Sequence, residues 1–390
     1  MNNNSVYILN INRTPIGSIL GNLKDHTAAD LAVLCINSLF DKELINLKKE
    51  IDTVIIGNVI SSGLGLNLAN EIALKSNLNI NNVNTVINRA CASGMDAIIM
   101  AYNLIKYENK DIIIAGGTES MSNAPYLNKH IRKNNKYGNI ELLDSIISDG
   151  LSEPIDKQLM GKVADDYCIN NNITITEQTE YAINSYEKSI NNNNNNEIID
   201  IKINNNIINT DEEKFKLNKD KIKNLKPIFN KNGSITAGNA SKLSDGASIA
   251  ILISEKKMLE IKNKYNINPL CKIIDTNIIG GDIASFVEAP SHSISNILIK
   301  NNLNIDTIDL FEINEAFSCV PIICSKNLNI DYNKININGG AVSLGHPLGC
   351  SGCRILCTLI HNLINKNKKT GIASICVGSG GASSILLEII

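Results

Sequence analysis

The chain has 390 residues, with 37 basic and 39 acidic side chains, a formal charge of -2 and 43% hydrophobic residues. That balance supplies no broad basic field for a nucleic acid, and no apolar run reaches the roughly 18 residues a membrane span requires. The length allows more than one buried core and so more than one domain.

Val6-Tyr7-Ile8-Leu9 reads as a strand that begins almost at the first residue, which leaves no room for a cleaved targeting peptide. Ten cysteines without a secretory signal suggest free thiols in a reducing compartment, most of them packed as small apolar residues. Thr53-Val54-Ile55-Ile56 and Asp111-Ile112-Ile113-Ile114 are short β-branched runs set between longer helical stretches, the pattern of an α/β fold with buried strands. Between them, Asn88-Arg89-Ala90-Cys91-Ala92-Ser93-Gly94-Met95 follows a strand and precedes a helix. Cys91 therefore falls near a helix N-terminus, where the local positive potential is expected to lower a thiol pKa that starts near about 8.5. The same residues suit a buried cysteine at a tight turn, and the segment alone does not choose between a nucleophile and a packed thiol.

From about Ser120 to Lys231 the chain turns polar, with helical stretches around Glu177 to Ser189 and few strand signals. It includes the tract Asn191 to Asn196, which reads as a solvated loop. This is an insertion between two α/β halves. Beyond it, Glu312-Ile313-Asn314-Glu315-Ala316-Phe317 sets Asn314 and Glu315 among apolar residues, a poor pattern for ordinary core. A buried Asn holding a water can polarise a carbonyl.

Gly339-Gly340-Ala341-Val342-Ser343-Leu344-Gly345-His346-Pro347-Leu348-Gly349 is too glycine-rich for a regular element and reads as a loop presenting His346. The bland alternative is a loop histidine satisfied by its neighbours. Cys350-Ser351-Gly352-Cys353 has the spacing of a zinc or redox pair, but without a companion pair it reads as packing at a helix start. Ser374-Ile375-Cys376-Val377-Gly378-Ser379-Gly380-Gly381 places Cys376 at a strand end, before glycines whose amides can build an oxyanion hole. Cys91-Ala92-Ser93-Gly94 and Cys350-Ser351-Gly352 each open an apolar helix followed by a strand and a glycine pair, Gly116-Gly117 and Gly380-Gly381. The repeat predicts two related layers around a shared interface.

These segments, together with Arg13-Thr14-Pro15-Ile16-Gly17, Gly116-Gly117-Thr118-Glu119-Ser120-Met121-Ser122 and Thr236-Ala237-Gly238-Asn239-Ala240-Ser241, resemble the thiolase family along the whole chain. Within it the chain looks most like acetoacetyl-CoA thiolases of the potassium-responsive mitochondrial type, through Cys91 to Met95, Tyr181-Ala182-Ile183-Asn184-Ser185-Tyr186 and Ile337 to Ser343. The resemblance implies a duplicated five-layer αβαβα core. An N-terminal α/β half over 1–119, completed by about 242–268, would flank a loop domain over 120–241 with CoA-binding and tetramerisation elements, and a C-terminal half would span 269–390. It also implies an acyltransferase that condenses two acetyl-CoA into acetoacetyl-CoA and CoA, reversibly. Cys91 would be the acetylated nucleophile, His346 its base and Cys376 the base for the second substrate. His346 and a water held by Asn314 would stabilise the enolate, and the amides of Cys91 and Gly378 the tetrahedral intermediate.

For CoA, the resemblance points to Leu151, Met160, Phe229, Ala237 and Ser241 around the pantetheine, with Lys216 and Lys221 toward the nucleotide phosphates and Phe286 against a short acyl group. Two positions depart from the pattern: Leu159 stands where related enzymes usually carry a His, and Lys216 where an Arg is common, which gives up a planar stacking surface. No cofactor would be covalently bound. A potassium ion would map onto Tyr186 and the carbonyls of Ala237, Gly238, Ala240 and Val342. The stretch Ser120 to Tyr137 matches the one that joins dimers into tetramers, so a homotetramer is expected, with the cytosol as its compartment and the mitochondrion as the alternative. A ketoacyl synthase would share the fold but uses two histidines where this chain has Asn314 and Cys376. A catalytically silent lipid-binding relative would have no need of Cys91, His346 and Cys376 together.

Overall fold

The structure is a computed structural model that describes residues 5–40, 44–79, 83–133, 136–192 and 196–390. In its first half, β1 (Val6–Arg13), α1 (Ala28–Leu39), β2 (Thr53–Gly57), α2 (Leu68–Lys75), β3 (Thr85–Ile87), α3 (Ser93–Glu108) and β4 (Ile112–Ser120) are completed by β5 (Ser244–Ser254). Between β4 and β5 the chain makes an excursion that carries α4 (Met160–Asn170) and α5 (Ile175–Asn191). The second half consists of β6 (Cys271–Ile279), α6 (Ala289–Lys300), β7 (Leu310–Ile313), α7 (Cys319–Leu328), α8 (Leu348–Asn365), β8 (Thr370–Cys376) and β9 (Ala382–Ile389).

Hydrogen bonding runs the strands in the order β7-β8-β9-β6-β1-β5-β4-β2-β3. The first half thus reads β1-β5-β4-β2-β3 and the second repeats it as β6-β9-β8-β7. The pairings repeat too: β5–β4 and β9–β8 are antiparallel, while β4–β2 and β8–β7 are parallel. Where β3 lies beside β2, the second half has only a single parallel bridge, between Phe311 and Ile335. The halves join edge to edge where Val6 to Ile8 meet Cys271 to Ile273, next to an irregularity between Ile8 and Asn10 in β1.

Alternation along the buried strands assigns each side chain to a layer. Ile112 and Ile114 face a cluster with α1 and α2, whereas Ile113 and Ala115 face a central cluster built on α3 and α8. In β8, Ile372 faces the outer layer of α6 and α7 while Ala373 and Ile375 face the centre. The result is five layers, αβαβα, with α3 and α8 as the shared middle. Those helices are buried nearly all round, as a helix between two sheets must be. Glycines let their first turns meet: a Cβ on Gly94 would lie 2.6 Å from the Gly349 carbonyl oxygen, and one on Gly352 2.4 Å from the Met95 nitrogen.

The two glycine pairs that suggested duplication are not equivalent. Gly116 and Gly117 lie inside β4, where a Cβ on Gly117 would sit 1.9 Å from the Gly349 oxygen. Gly380 and Gly381 form the turn after β8 and need positive φ, 99° and 101°. The excursion is pinned by Arg13, whose guanidinium holds Asp211 through two bonds of 2.7 and 2.9 Å and Glu197 through two more of the same lengths. It contains two short hairpins, Tyr126–Leu127 with Leu143–Asp144 and Ile201–Ile203 with Asn206–Ile208, that its polar composition did not signal. Of the tract Asn191 to Asn196 expected as a solvated loop, Asn191 is instead the last residue of α5, and 193–195 lie outside the described residues.

Candidate active site

Cys91 sits two residues before the start of α3, on a turn forced by Ala90, which takes the left-handed conformation at φ 47°. Such strain persists only where neighbours impose it. Here the Ser93 hydroxyl donates to the Ala90 carbonyl at 2.6 Å and accepts from the Arg89 amide at 2.8 Å, while Asn88 accepts from the Ala90 amide at 3.1 Å. The Arg89 guanidinium reaches Asp96, Ser383 and the Ile279 carbonyl, which ties the turn to the second half. Cys91 is the one half-buried cysteine of ten free thiols; the other nine are buried.

The expectation of a lowered Cys91 pKa does not hold. Burial pushes the thiol up to about 12, the nearby Glu119 carboxylate adds to this, and the bond from the residue's own amide only partly offsets it. Glu119 itself lies beneath the site and accepts from the amides of Val59, Ile60 and Gly349 and from the Asn58 side chain, at 2.9 to 3.2 Å. Burial raises its carboxyl to about 7 while those four donors pull it back down.

His346 is held from both sides. Its amide donates to the Lys242 carbonyl at 2.9 Å, and its Nδ1 lies 2.6 Å from the Ser351 hydroxyl. That hydroxyl donates its own proton to the Pro347 carbonyl at 3.0 Å. With its proton on that carbonyl the hydroxyl accepts from the ring, an assignment that puts the ring proton on Nδ1 and a lone pair on Nε2. Nε2 is buried and meets no protein partner among the described residues. Burial, with help from the Arg354 charge, lowers the ring's pKa to about 3, so at rest it is a neutral base.

Cys376 ends β8, and its thiol is held far above the usual range by burial and then by the neighbouring Cys91, since two adjacent thiols resist ionising together. Asn314 follows β7 with its backbone fixed by the Ser374 carbonyl at 3.0 Å, yet neither atom of its fully buried side-chain amide has a protein partner among the described residues. An unpaired buried amide is costly unless it serves a ligand. Glu315 instead clamps the fold: it accepts from Tyr181, Ser185, Asn336 and the Val342 amide. Neither the Cys91 amide nor the Gly378 amide donates to a backbone carbonyl among the described residues.

Around these groups, Cys91 and Leu151 both pack against the small cluster that contains Leu348, and Met160 and Phe286 share a cluster with Cys376. A Cβ on Gly378 would touch the Met160 sulfur at 3.3 Å, and Phe229 lies over Gly161. Ser241 is bonded through its amide to the Ala316 carbonyl, 3.1 Å, beside Asn314. Lys216 is half exposed and gives its ammonium to Ser18 at 2.6 Å and Glu213 at 2.9 Å, whereas Lys221 is exposed.

Of the five groups mapped to potassium, Tyr186 and Val342 share a small cluster with Ile222, against which Gly238 also packs. The carbonyls of Ala237 and Ala240 are taken: the Lys242 ammonium donates to them at 2.8 and 2.6 Å. A metal cation on the same oxygens would meet that ammonium at contact distance, where like charges repel strongly. These residues do not fit potassium while Lys242 stands among them.

Sequence reasoning missed Ala90, Ser351, Glu119 and Lys242 as site residues. Ala90, Glu119 and Ser351 lie inside segments that stand out in the sequence, but nothing in residue type alone shows that a hydroxyl five positions on will orient His346.

The chain matches two family models, the thiolase N-terminal domain over residues 6–256 and the thiolase C-terminal domain over residues 267–389. Acetyl-CoA acetyltransferase of Schizosaccharomyces pombe is 40% identical over 399 residues, all of both chains. A probable acetyl-CoA acetyltransferase of Dictyostelium discoideum is 41% identical, over 98% of this chain and 94% of its own length. A thiolase of Ascaris suum solved in complex with coenzyme A superposes with a TM-score of 0.92 at 35% identity, covering 99% of this chain and 100% of that one. With both domain models matched in order and relatives of this identity spanning its length, the chain belongs to the thiolase family.

Proposed function

We propose that this chain is an acetyl-CoA C-acetyltransferase, which joins two acetyl-CoA into acetoacetyl-CoA and CoA and runs the same steps in reverse. The observation that carries the reading is the buried, unpartnered Nε2 of His346, whose Nδ1 is held by Ser351, and it is supported by the unpaired Asn314 amide and by the nearness of Cys376 to Cys91. As Cys91 attacks the thioester carbonyl, its proton passes to Nε2, and the raised resting pKa of the thiol makes that base necessary. CoA departs as a thiolate and takes the Cys376 proton. The Cys376 thiolate then removes a proton from the methyl carbon of a second acetyl-CoA. The enolate oxygen meets two donors, the Nε2–H of the charged imidazole and the Asn314 amide or a water on it. Attack on acetyl-Cys91 closes the carbon–carbon bond, and the departing Cys91 sulfur recovers the proton from His346. The Cys91 and Gly378 amides receive the oxyanion of each tetrahedral stage.

In this reading Leu151, Met160, Phe229, Ala237 and Ser241 line the pantetheine and Phe286 limits the acyl group. Lys221 and, once released from Glu213, Lys216 meet phosphate charge. The division into 1–119 with 242–268, 120–241 and 269–390 is supported by the strand order, since β5 completes the first half after the excursion. A homotetramer is supported by large apolar side chains exposed along the segment after β4: Tyr126, Ile131, Tyr137, Ile140 and Leu142. Among the described residues no helix is long and apolar enough to cross a membrane, and ten free thiols support a reducing compartment such as the cytosol.

Incubation with acetyl-CoA should release CoA and leave an acetyl group on the Cys91 peptide, read by mass spectrometry, and acetoacetyl-CoA should be cleaved by added CoA. Activity confined to carrier-protein thioesters, or an unmodified Cys91, would reject the assignment.

A further inference from the structure

We infer that Lys242 is a tethered cation, which does inside this chain what a bound monovalent metal would otherwise do: it gathers the carbonyls of the loop behind the catalytic base. The loop from Thr236 to Lys242 turns the Ala237 and Ala240 oxygens toward one point, and the Lys242 ammonium occupies that point at 2.8 and 2.6 Å. Converging carbonyl dipoles need a positive charge, and an ammonium offers three donors to meet them. Burial lowers the Lys242 ammonium to about 8, and the Glu213 carboxylate, itself bonded to Lys216, offsets part of that.

The consequence for the site follows from what the same loop holds. The Lys242 carbonyl accepts the His346 amide at 2.9 Å. On the other side, the Ser241 amide donates to Ala316 at 3.1 Å and the Asn239 carbonyl accepts from Ser318 at 2.9 Å, which fixes the loop to the turn that carries Asn314. Both enolate donors, His346 and Asn314, are thus referenced to a loop whose curl is set by one ammonium. Lys242 is a positioning residue. Because its charge is covalently attached, this enzyme needs no potassium to hold its loop and gains nothing from it.

The test compares the wild-type chain with Lys242→Ala and Lys242→Met in potassium, sodium and choline chloride at equal ionic strength, so that general screening is constant. Two readouts are taken: the melting temperature, which does not depend on the proposed activity, and kcat and KM for acetoacetyl-CoA thiolysis, which rest on it. The wild type should melt and turn over alike in all three salts. Lys242→Ala should lose on the order of tenfold in kcat/KM in choline, the scale of hydrogen bonds to a charged group. Potassium should restore its melting temperature and most of its rate. Lys242→Met fills the same space without charge and should be impaired in every salt. A wild-type protein that melts higher or turns over faster in potassium than in choline would overturn the inference, as would a fully active Lys242→Ala in choline. Should the variants not fold, the wild-type salt series still decides. Absence of all thiolysis alongside a flat melting series would count against the enzymatic reading and leave the tethered cation standing.

Discussion

The two halves share one strand order and bring the same kind of helix start to the centre, yet they present different chemistry there. In the first half Cys91 stands two residues before Ser93, the first residue of α3; in the second His346 stands two residues before Leu348, the first residue of α8. Gly94 and Gly349, each the second residue of its helix, meet at the crossing. The duplicated position is therefore Cys91 in one half and His346 in the other, not Cys91 and Cys350, and in the proposed function these two are the nucleophile and its base. One architecture, used twice and crossed at two glycines, brings two unlike helix starts together. The strand ends differ as well: β4 runs out into the long excursion, whereas β8 turns back within five residues, Val377 to Gly381, and keeps Cys376 and Gly378 at the site.

The strongest test of this pairing is Cys91→Ala, which should cut thiolysis by about 10⁴-fold or more, as removal of a covalent nucleophile does. Acetylation of the enzyme by acetyl-CoA, followed by mass spectrometry, should vanish with it. Asn314→Ala is next. It removes one enolate donor while the backbone stays fixed by Ser374, so kcat should fall by about 10²- to 10³-fold with little change in KM. Ser351→Ala releases the tautomer of His346, and kcat should drop by about tenfold with an altered pH-rate profile; an unchanged profile would mean that Ser351 does not orient the ring.

Acid stability tests the same histidine without catalysis. The ring has a folded pKa near 3 against 6.5 when exposed. The unfolded chain therefore binds the extra proton between those values, so the stability due to the neutral ring is complete above 6.5 and lost as pH falls toward 3. The slope is about 1.4 kcal/mol per pH unit for one proton. Urea unfolding of wild type and His346→Gln across that window should show the wild type losing ground to the variant as the medium acidifies. Parallel curves would place the ring in solvent contact instead.

How much of this was readable depends on what each residue type signals. Val54 to Ile56 and Ile112 to Ile114 announce strands because they are apolar on both faces, as a sheet covered on both sides requires. Cys91, Asn314, His346 and Cys376 stood out because each is a polar or reactive residue among glycines or apolar neighbours. Ala90 gave no warning, since alanine seldom takes positive φ and only its neighbours force it. The helix-start argument for a lowered Cys91 pKa failed because it weighed a dipole without the depth of the thiol or the carboxylate of Glu119. The carbonyl cradle of Lys242 is a property of loop curvature, which no residue list contains. The Cys-Ser-Gly likeness that suggested the repeat was real in kind and wrong in register, because short motifs of small residues recur wherever helices cross closely.

That register yields the smallest effect and the cleanest discrimination. Cys350 lies inside α8, fully buried, its thiol held far above the usual range chiefly by that burial. If the duplicated position is His346, Cys350 is packing alone, and Cys350→Ala removes one sulfur from a filled site. The cost should be about 1 kcal/mol of stability, the scale of a small buried truncation. Thiolysis should stay within about twofold of wild type, against the loss at Cys91. Iodoacetamide should label the half-buried Cys91 in both proteins and leave the buried Cys350 of the wild type unlabelled, because a thiol without access does not react. Labelling of Cys350 in the native protein, or a rate lost with its sulfur, would mean that the second helix start carries its own reactive thiol and that the pairing of Cys91 with His346 is not the one the fold repeats.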